Sequence, residues 1–166
     1  MAVKSRGIDA RVSRLMTEGH VTVSVCESCT GGMLGSAITS FSGSSRYFVG
    51  GIIAYSDRVK KNVVGVKEAT LERYGAVSAE VGEEMARGVR RMMASDVGVA
   101  VTGIAGPGGG TVQKPVGLVY IAVAVKRRTV VRKFLLSGSR SRIRKTAVDQ
   151  ALMMLEETVN AHCIEE

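Results

Sequence analysis

Apolar residues along this chain recur with two different spacings, and their alternation predicts helices separated by strands. Residues 7–19 carry Ile8, Val12 and Leu15 at helical spacing. The next run, VTVSVCE, is short and β-branched, as is typical of a strand. The same reasoning predicts further helices at residues 30–40, 57–64, 67–75 and 78–94, and further strands at residues 47–56 and 96–103.

The last third of the chain predicts a hairpin followed by one long helix. The apolar runs VGLVYIAVAV and TVVRKFLLS are separated only by residues 126–128, a connection short enough for an antiparallel hairpin. From Arg140 to about His162 a helix is predicted, with inward positions at Ile143, Ala147, Ala151, Leu155 and Val159. We therefore predict a single domain over residues 1–166 with an α/β fold, a three-layer α/β/α sandwich on a mixed, mostly parallel sheet.

Three local features refine these elements. Adjacent glycines at 50–51 predict a bulge or a close approach of neighbouring backbone within their strand. Ser56 or Asp57 is the expected N-cap of the helix that follows. Ser78 is placed to cap the helix at 78–94, whose predicted apolar face comprises Val81, Met85, Val89 and Met92.

Composition is that of an ordinary folded domain and adds one constraint, a surplus of positive charge. Of the 166 residues, 45% are hydrophobic and 23% are charged, which excludes a disordered chain. The 23 Lys and Arg residues against 15 Asp and Glu give a net charge of +8. This surplus predicts an anionic partner, such as a phosphorylated small molecule, nucleic acid or an acidic membrane surface, unless it serves solubility alone.

Other features disfavour two of these partners. The basic runs at 126–128 and 140–145 contain no aromatic residue that could stack on bases, so nucleic acid is not expected. No apolar run approaches the roughly 18–20 residues of a membrane span, and the N-terminus lacks an apolar signal core. We therefore expect a cytoplasmic protein that does not engage a membrane.

Cysteines at positions 26 and 29 raise three interpretations. A CxxC spacing is typical of a redox pair or of half a metal site. The other soft ligands are His20, His162 and Cys163, and they do not repeat a paired spacing, so no metal site is predicted. A reversible disulfide between Cys26 and Cys29 stays open as an alternative. Packing as small buried hydrophobic side chains is the favoured interpretation.

Two unusual loops, ESCTGG at 27–32 and TGIAGPGGG at 102–110, each follow a predicted strand. In open α/β sheets, binding sites lie beyond the carboxyl ends of strands. Ser28 stands between the strand end and a glycine turn that leaves backbone N–H groups uncovered at a helix start, where negative charge is favoured. The sequence thus presents Ser28 as a candidate nucleophile, and an N-cap with a plain glycine turn as the alternative.

A nucleophilic serine needs a base, and Lys60 is the candidate. Neither histidine is near a predicted site loop, and the nucleophile-elbow pattern GxSxG is absent. Lys60 follows Val59 in a largely apolar short helix, where partial removal from water disfavours the ammonium form. The alternative is that Lys60 and Lys61 form an exposed, solvated pair.

The second glycine loop and the start of the last helix are candidates for anion binding. Residues 102–106 form a turn rich in backbone donors, able to receive an anion or a carboxamide. No GK[ST] follows, so this is not a P-loop. Arg140, Arg142, Arg144 and Lys145 crowd a helix start, where the helix dipole is positive, so an anion there would relieve an unfavourable arrangement.

Taken in order, ESCTGG, AYSDRVK, GAVS, TGIAGPGGG and KPVG closely resemble the CinA C-terminal domain family. Characterised members of that family are nicotinamide mononucleotide deamidases. The resemblance implies an α/β/α sandwich and a serine–lysine amidohydrolase that needs no metal or cofactor. It places the nucleophile at Ser28, the lysine at Lys60 and a tyrosine of the site at Tyr55. The substrate-binding residues expected from the loops and the resemblance are Thr30, Gly31, Gly32, Thr102, Gly103, Ala105, Gly106 and Arg140.

The resemblance also implies a small phosphorylated nucleotide as substrate, and a homo-oligomer, a dimer or larger, is expected. One departure concerns Ser139, because many relatives carry an aspartate there. Losing that acid could loosen the aim of Arg140, although Ser139 can still cap the helix. A non-catalytic nucleotide-binding or regulatory module with the same loops stays open as the alternative function.

Overall fold

The structure is a computed structural model and describes residues 7–162. The helices are α1 (Ile8–Glu18), α2 (Met33–Ile38), α3 (Asp57–Val59), α4 (Glu68–Tyr74), α5 (Ala79–Met92) and α6 (Arg140–His162). The strands are β1 (Val23–Glu27), β2 (Phe48–Ile53), β3 (Val97–Gly103), β4 (Leu118–Ala124) and β5 (Thr129–Leu135). A π-helical turn, Lys60–Val64, continues α3, and a 3-10 turn, Ser44–Arg46, precedes β2. The predicted elements are confirmed, with ends that differ by a few residues.

The five strands form one mixed sheet in the order β2-β1-β3-β4-β5. Strand β1 pairs in parallel with both β2 and β3, whereas β4 pairs antiparallel with both β3 and β5. Only β4 therefore runs against the other strands, and the predicted hairpin is the β4–β5 pair. The predicted mixed, mostly parallel sheet is confirmed.

Helices cover both faces of this sheet, which completes the three predicted layers. On one face, α1, α2 and α6 pack on inward valines of β1, β3 and β4. The inward positions predicted for α6 are all buried. On the other face, α5 packs on alanines of β3 and β4. Among the helices within residues 7–162, none is long and apolar enough to cross a membrane.

Helix α5 lies unusually close to its neighbours because small residues face it. A Cβ added to Gly98 of β3 would lie 2.2 Å from the carbonyl oxygen of Ala86. A Cβ added to Gly88 of α5 would lie 2.2 Å from the carbonyl oxygen of Val64. Val64 ends the π-helical turn that begins at Lys60. The absence of a side chain at Gly88 therefore allows the segment that carries Lys60 to sit against α5.

The predicted local features are confirmed except at one position. Ser56 and Ser78 each cap a helix through the hydroxyl oxygen, which settles the choice between Ser56 and Asp57. The bulge predicted at the adjacent glycines is present, because the pairing of β1 with β2 shifts register after Phe48. The predicted close approach is present as well, because a Cβ added to Gly51 would lie 2.5 Å from the side chain of Val25. The prediction for Met92 was wrong, because this side chain is 44% exposed and Met93, four residues after Val89, continues the packed face.

We predict that Gly98→Ala lowers the free energy of unfolding by about 1–3 kcal/mol, because the added methyl group overpacks the contact between β3 and α5. Urea unfolding monitored by circular dichroism measures the change. Gly108→Ala is the matched control, because a Cβ at Gly108 has no neighbour within 4 Å and should leave the midpoint nearly unchanged. Equal effects of the two substitutions would contradict the close-packing account.

Candidate active site

The two predicted site loops meet at one edge of the sheet. Strands β1 and β3 are parallel neighbours that end at Glu27 and Gly103, so the loops that follow them leave side by side. Between these loops lies a cleft of about 280 Å³. Ser28, Cys29, Tyr55, Asp57, Lys60 and Arg140 are among the residues that line it.

Ser28 and Lys60 are in contact at the floor of this cleft. Lys60 Nζ donates to Ser28 Oγ at 3.4 Å and to the carbonyl oxygen of Tyr55 at 3.3 Å. Asp57 Oδ1 lies 3.5 Å from the same nitrogen. Lys60 is only 1% exposed and Ser28 is 9% exposed. The alternative of a solvated pair was wrong for Lys60, whereas its neighbour Lys61 is exposed and pairs with Glu68.

The local sequence explains why a lysine points inward here. Ser56 caps α3, and the chain then widens into the π-helical turn, of which Lys60 and Val64 are the buried members. The backbone N–H of Val66 closes this turn by donating to the carbonyl oxygen of Lys60 at 3.0 Å. Single π-helical turns are frequent at functional sites, because they redirect one side chain without ending the helix.

The Glu27 side chain binds the N-terminus of α2, where the sequence analysis expected an anion. Its buried carboxylate accepts from the backbone N–H groups of Gly32 and Leu34 at 3.0 Å and of Gly35 at 2.8 Å. The expectation of uncovered donors was therefore wrong for Gly32 and for the first turn of α2. The negative charge favoured at this helix N-terminus belongs to the protein itself.

Three residues that line the cleft have backbone N–H groups with no oxygen acceptor among the described residues. The N–H of Cys29, next to Ser28, has no oxygen acceptor within residues 7–162. Across the cleft, the N–H groups of Ala105 and Gly106 likewise have none among the described residues. These N–H groups lie in the loops that follow β1 and β3, and they are candidates for the donors that an oxyanion intermediate requires.

Thr102 and Gly103 build the wall of the cleft. Thr102 Oγ1 donates to the carbonyl oxygen of Ala76 at 2.7 Å, which fixes the strand end to the segment before α5. Gly103 pairs with Val119 of β4, and a Cβ at Gly103 would lie 2.8 Å from the carbonyl oxygen of Leu118. Both residues line the cleft, and their contacts show how the wall is held.

Arg140 and Tyr55 lie at the mouth of the cleft. Arg140 donates to the carbonyl oxygen of Gly106 at 2.7 Å and to the Tyr55 hydroxyl oxygen at 3.2 Å. Tyr55 is 61% exposed, so its ring borders the entrance. Ser139 caps α6 through a hydrogen bond from the backbone N–H of Arg142 at 3.3 Å. In this chain, Gly106 and Tyr55 therefore direct the Arg140 side chain.

Three predicted site residues do not line the cleft. Gly31 and Gly32 have φ values of 58° and 98°, which favour glycine, and they turn the chain into α2. Thr30 is fully buried, and its Oγ1 has no hydrogen-bond partner within the described chain. The structure thus separates the residues that face the cleft from those that shape the turn behind Ser28.

A family model agrees with this architecture. The model of the CinA C-terminal domain matches residues 5–159. The chain belongs to the CinA C-terminal domain family. Among curated relatives, a competence-damage inducible protein of Desulforudis audaxviator is 48% identical over 149 residues, which cover 90% of this chain and 36% of that protein. A CinA-like protein of Thermosynechococcus vestitus is 55% identical over 132 residues, 79% of this chain and 32% of that protein. The chain thus spans about a third of the length of these CinA relatives.

Solved structures of CinA proteins share the fold over nearly their whole length. The competence/damage inducible protein CihA from Agrobacterium tumefaciens superposes with a TM-score of 0.87 and 37% identity, over 92% of this chain and 95% of that one. A CinA superfamily protein from Klebsiella pneumoniae gives a TM-score of 0.91 with 28% identity, over 95% of this chain and 99% of that one.

Sequence reasoning missed the roles of three charged side chains around the site of this CinA domain. Glu27 caps α2, and its position at the end of an apolar strand, shortly before a helix, could have indicated this role. Asp57 approaches Lys60, and its i,i+3 spacing from that residue was the available signal. Arg144 was predicted only as one of the anion-binding candidates at the start of α6. It donates instead to the carbonyl oxygens of Cys29 at 3.0 Å and Thr30 at 2.9 Å, a contact between distant segments that no local pattern indicates.

The two cysteines near the site are packed thiols. Cys26 belongs to the cluster on the α5 face of the sheet, and Cys29 to the cluster on the opposite face. Burial raises the pKa of Cys26 to about 12 and that of Cys29 to about 11. Within the described residues, no three His, Cys, Asp or Glu side chains are grouped to hold a metal ion. The side chains of His162 and Cys163 lie outside the described residues.

We predict that Glu27→Ala lowers the free energy of unfolding by about 3 kcal/mol or more, because three backbone donors lose a charged acceptor. Urea unfolding gives the value. Glu72→Ala, which removes an exposed carboxylate on α4, is the control and should change stability by no more than about 0.5 kcal/mol. A similarly small effect at Glu27 would disprove the capping role.

We predict slow alkylation of Cys26 and Cys29 in the folded protein, because raised thiol pKa values leave little thiolate at neutral pH. In a Cys163→Ser background at pH 8, iodoacetamide should modify both at least about 100-fold more slowly than in urea. The rate in the folded protein should rise about tenfold per pH unit from pH 7 to 9, since the thiolate fraction rises by that factor below the pKa. Peptide mass spectrometry measures it, and rapid modification with a plateau near pH 7 would support the redox interpretation.

Proposed function

We propose that this chain hydrolyses the carboxamide of nicotinamide mononucleotide, giving nicotinate mononucleotide and ammonia. The observation that carries the proposal is the buried contact of 3.4 Å between Lys60 Nζ and Ser28 Oγ, in a cleft lined by the loops that follow β1 and β3. The resemblance of the motifs to CinA deamidases supplies the substrate. The names of the relatives state no reaction, so substrate and reaction are both part of the proposal.

The first half of the proposed reaction is acyl transfer to serine. Lys60 Nζ acts as the base and takes the proton of Ser28, whose Oγ forms a bond to the carboxamide carbon. The carbonyl oxygen becomes an oxyanion that accepts hydrogen bonds from the N–H of Cys29 and from the 105–106 segment. When the carbon–nitrogen bond breaks, the departing nitrogen takes the proton held on Lys60, directly or relayed by Tyr55, and leaves as ammonia.

The second half returns the enzyme to its starting state. Water attacks the ester formed with Ser28 and gives one proton to Lys60, and the ester carbon–oxygen bond then breaks. The proton on Lys60 returns to Ser28 Oγ, and the nicotinate product leaves. Lys60 can act as base and then as acid in both halves because its contact with Ser28 is shielded from water.

Charge and shape of the cleft support a phosphorylated substrate. Arg140 lies at the mouth, where its guanidinium can meet a 5′-phosphate, while the glycine loop at 103–109 leaves room for the nucleotide. Asp57 is the acidic residue of the lining, and its carboxylate lies 3.5 Å from Lys60 Nζ. A homo-oligomer remains part of the proposal, and size-exclusion chromatography with light scattering would test it.

We predict that Ser28→Ala lowers ammonia release from nicotinamide mononucleotide by about 1,000-fold or more, because the covalent route is lost. Lys60→Ala should cost at least about 100- to 1,000-fold, the usual contribution of a general base. A coupled ammonia assay, with chromatography of nicotinate mononucleotide, measures both. Lys61→Ala removes an exposed neighbouring lysine and should retain full activity.

Three other outcomes would contradict the proposed reaction or its mechanism. Undiminished turnover by Ser28→Ala would remove serine from the mechanism. Calorimetric binding of the nucleotide by the wild-type chain with no product would favour the non-catalytic module instead. Loss of activity on treatment with a chelator, restored by a metal ion, would favour a metal-dependent reaction.

A further inference from the structure

Arg144 reaches from α6 to the turn that carries the candidate nucleophile. Its Nε donates to the carbonyl oxygen of Cys29 at 3.0 Å, and one terminal nitrogen donates to that of Thr30 at 2.9 Å. These two carbonyls follow Ser28 directly in the chain. The contact joins residues that are 114 and 115 positions apart, so it ties the turn to the far end of the fold.

The contact sets the direction of the peptide units behind Ser28. In a trans peptide, the carbonyl and the N–H of one unit point in opposite directions. Because the Thr30 carbonyl faces Arg144, the N–H of Gly31 faces away from it, and that N–H donates to the carbonyl oxygen of Ser28 at 3.1 Å. Arg144 thus holds a turn that closes on Ser28 itself.

Glu27 completes the arrangement with the opposite charge. Its carboxylate binds the N–H groups that follow the turn, whereas the Arg144 guanidinium binds the carbonyls within it. The Glu27 carboxylate accepts from backbone N–H groups at the start of α2, and the Arg144 guanidinium donates to backbone carbonyls of the preceding turn. Together these charge-assisted hydrogen bonds fix the backbone on both sides of the turn. The N–H of Cys29, a residue that lines the cleft next to Ser28, has no oxygen acceptor among the described residues.

The charge of Arg144 is also available to the site. Within residues 7–162 no carboxylate pairs with it, and its recorded acceptors are two neutral carbonyl oxygens. A fixed positive charge behind Ser28 favours a reaction in which negative charge develops at that place.

We propose that Arg144 is a positioning residue for acyl transfer at Ser28, acting through the carbonyls of Cys29 and Thr30 to hold the Ser28 turn and its oxyanion donor. The inference rests on the proposed amidase function. Arg144 does not line the cleft, so its effect should fall on the reaction step rather than on substrate binding.

The test compares Arg144→Ala and Arg144→Lys with Lys145→Ala. The structure places Lys145 outside the cleft lining, so the last variant removes an exposed cation from the next position of α6 and controls for net charge. With nicotinamide mononucleotide, we expect Arg144→Ala to lower kcat about 10- to 100-fold with KM within about threefold. Arg144→Lys should stay impaired, because an ammonium cannot reproduce the planar two-donor fork. Lys145→Ala should match the wild type.

Two further measurements do not depend on the nucleotide. A fluorophosphonate probe should modify Ser28 of the wild type, as followed by intact mass, and at least about tenfold more slowly in Arg144→Ala. Hydrogen exchange at the amide of Gly31 should become faster in Arg144→Ala and not in Lys145→Ala, because the turn loses its anchor. Thermal unfolding identifies a variant that fails to fold, for which Arg144→Lys provides the folded comparison.

These measurements distinguish failure of the proposed amidase function from failure of the positioning role of Arg144. If the wild type neither releases ammonia nor reacts with the probe, the proposed function fails, and exchange at Gly31 still reports on the anchoring. If the wild type is active and folded Arg144→Ala keeps its kcat and its probe reactivity, the positioning role of Arg144 is overturned while the amidase proposal stands. A rise in KM alone would also overturn it, because that would indicate a binding role.

Discussion

The structure of the site depends on a lysine side chain held out of water against a serine hydroxyl. Removing an amine from water is costly unless other oxygen atoms replace the water. Ser28, Tyr55 and Asp57 each offer one oxygen within 3.5 Å of Lys60 Nζ. Of these three oxygens, Ser28 Oγ is the one from which a proton transfer to Lys60 would start. The two side chains in contact, Lys60 and Ser28, are thus also the two that the proposed proton transfer requires.

The fold brings this pair together by close packing of small residues. Gly88 of α5 lets the π-helical turn approach, and this turn aims Lys60 at the end of β1. The neighbouring pairing of β1 with β3 brings the second glycine loop alongside. An enlarged side chain in this interface would move the base away from the nucleophile without touching either. Packing on the α5 face is therefore part of the chemistry of the site as well as of its stability.

Opposite charges stabilise the backbone around the nucleophile. Glu27 satisfies three donors at the start of α2, and Arg144 satisfies two acceptors in the preceding turn. Neither side chain needs to contact a substrate in order to affect the reactivity of Ser28. Both reduce the freedom of the turn, and a catalytic site benefits when its donors are in place before reaction.

The sequence by itself determined the order of helices and strands, the three layers, and the candidates Ser28 and Lys60, because apolar spacing and glycine loops are local properties. It misjudged Met92, since spacing alone does not say where a helix leaves the sheet. It could not determine that Glu27 occupies the helix start, that Gly31 and Gly32 stand outside the cleft, or that Arg144 reaches the turn. Only the tertiary structure decided these points, because each depends on contacts between segments whose mutual distance is set by packing and not by local sequence.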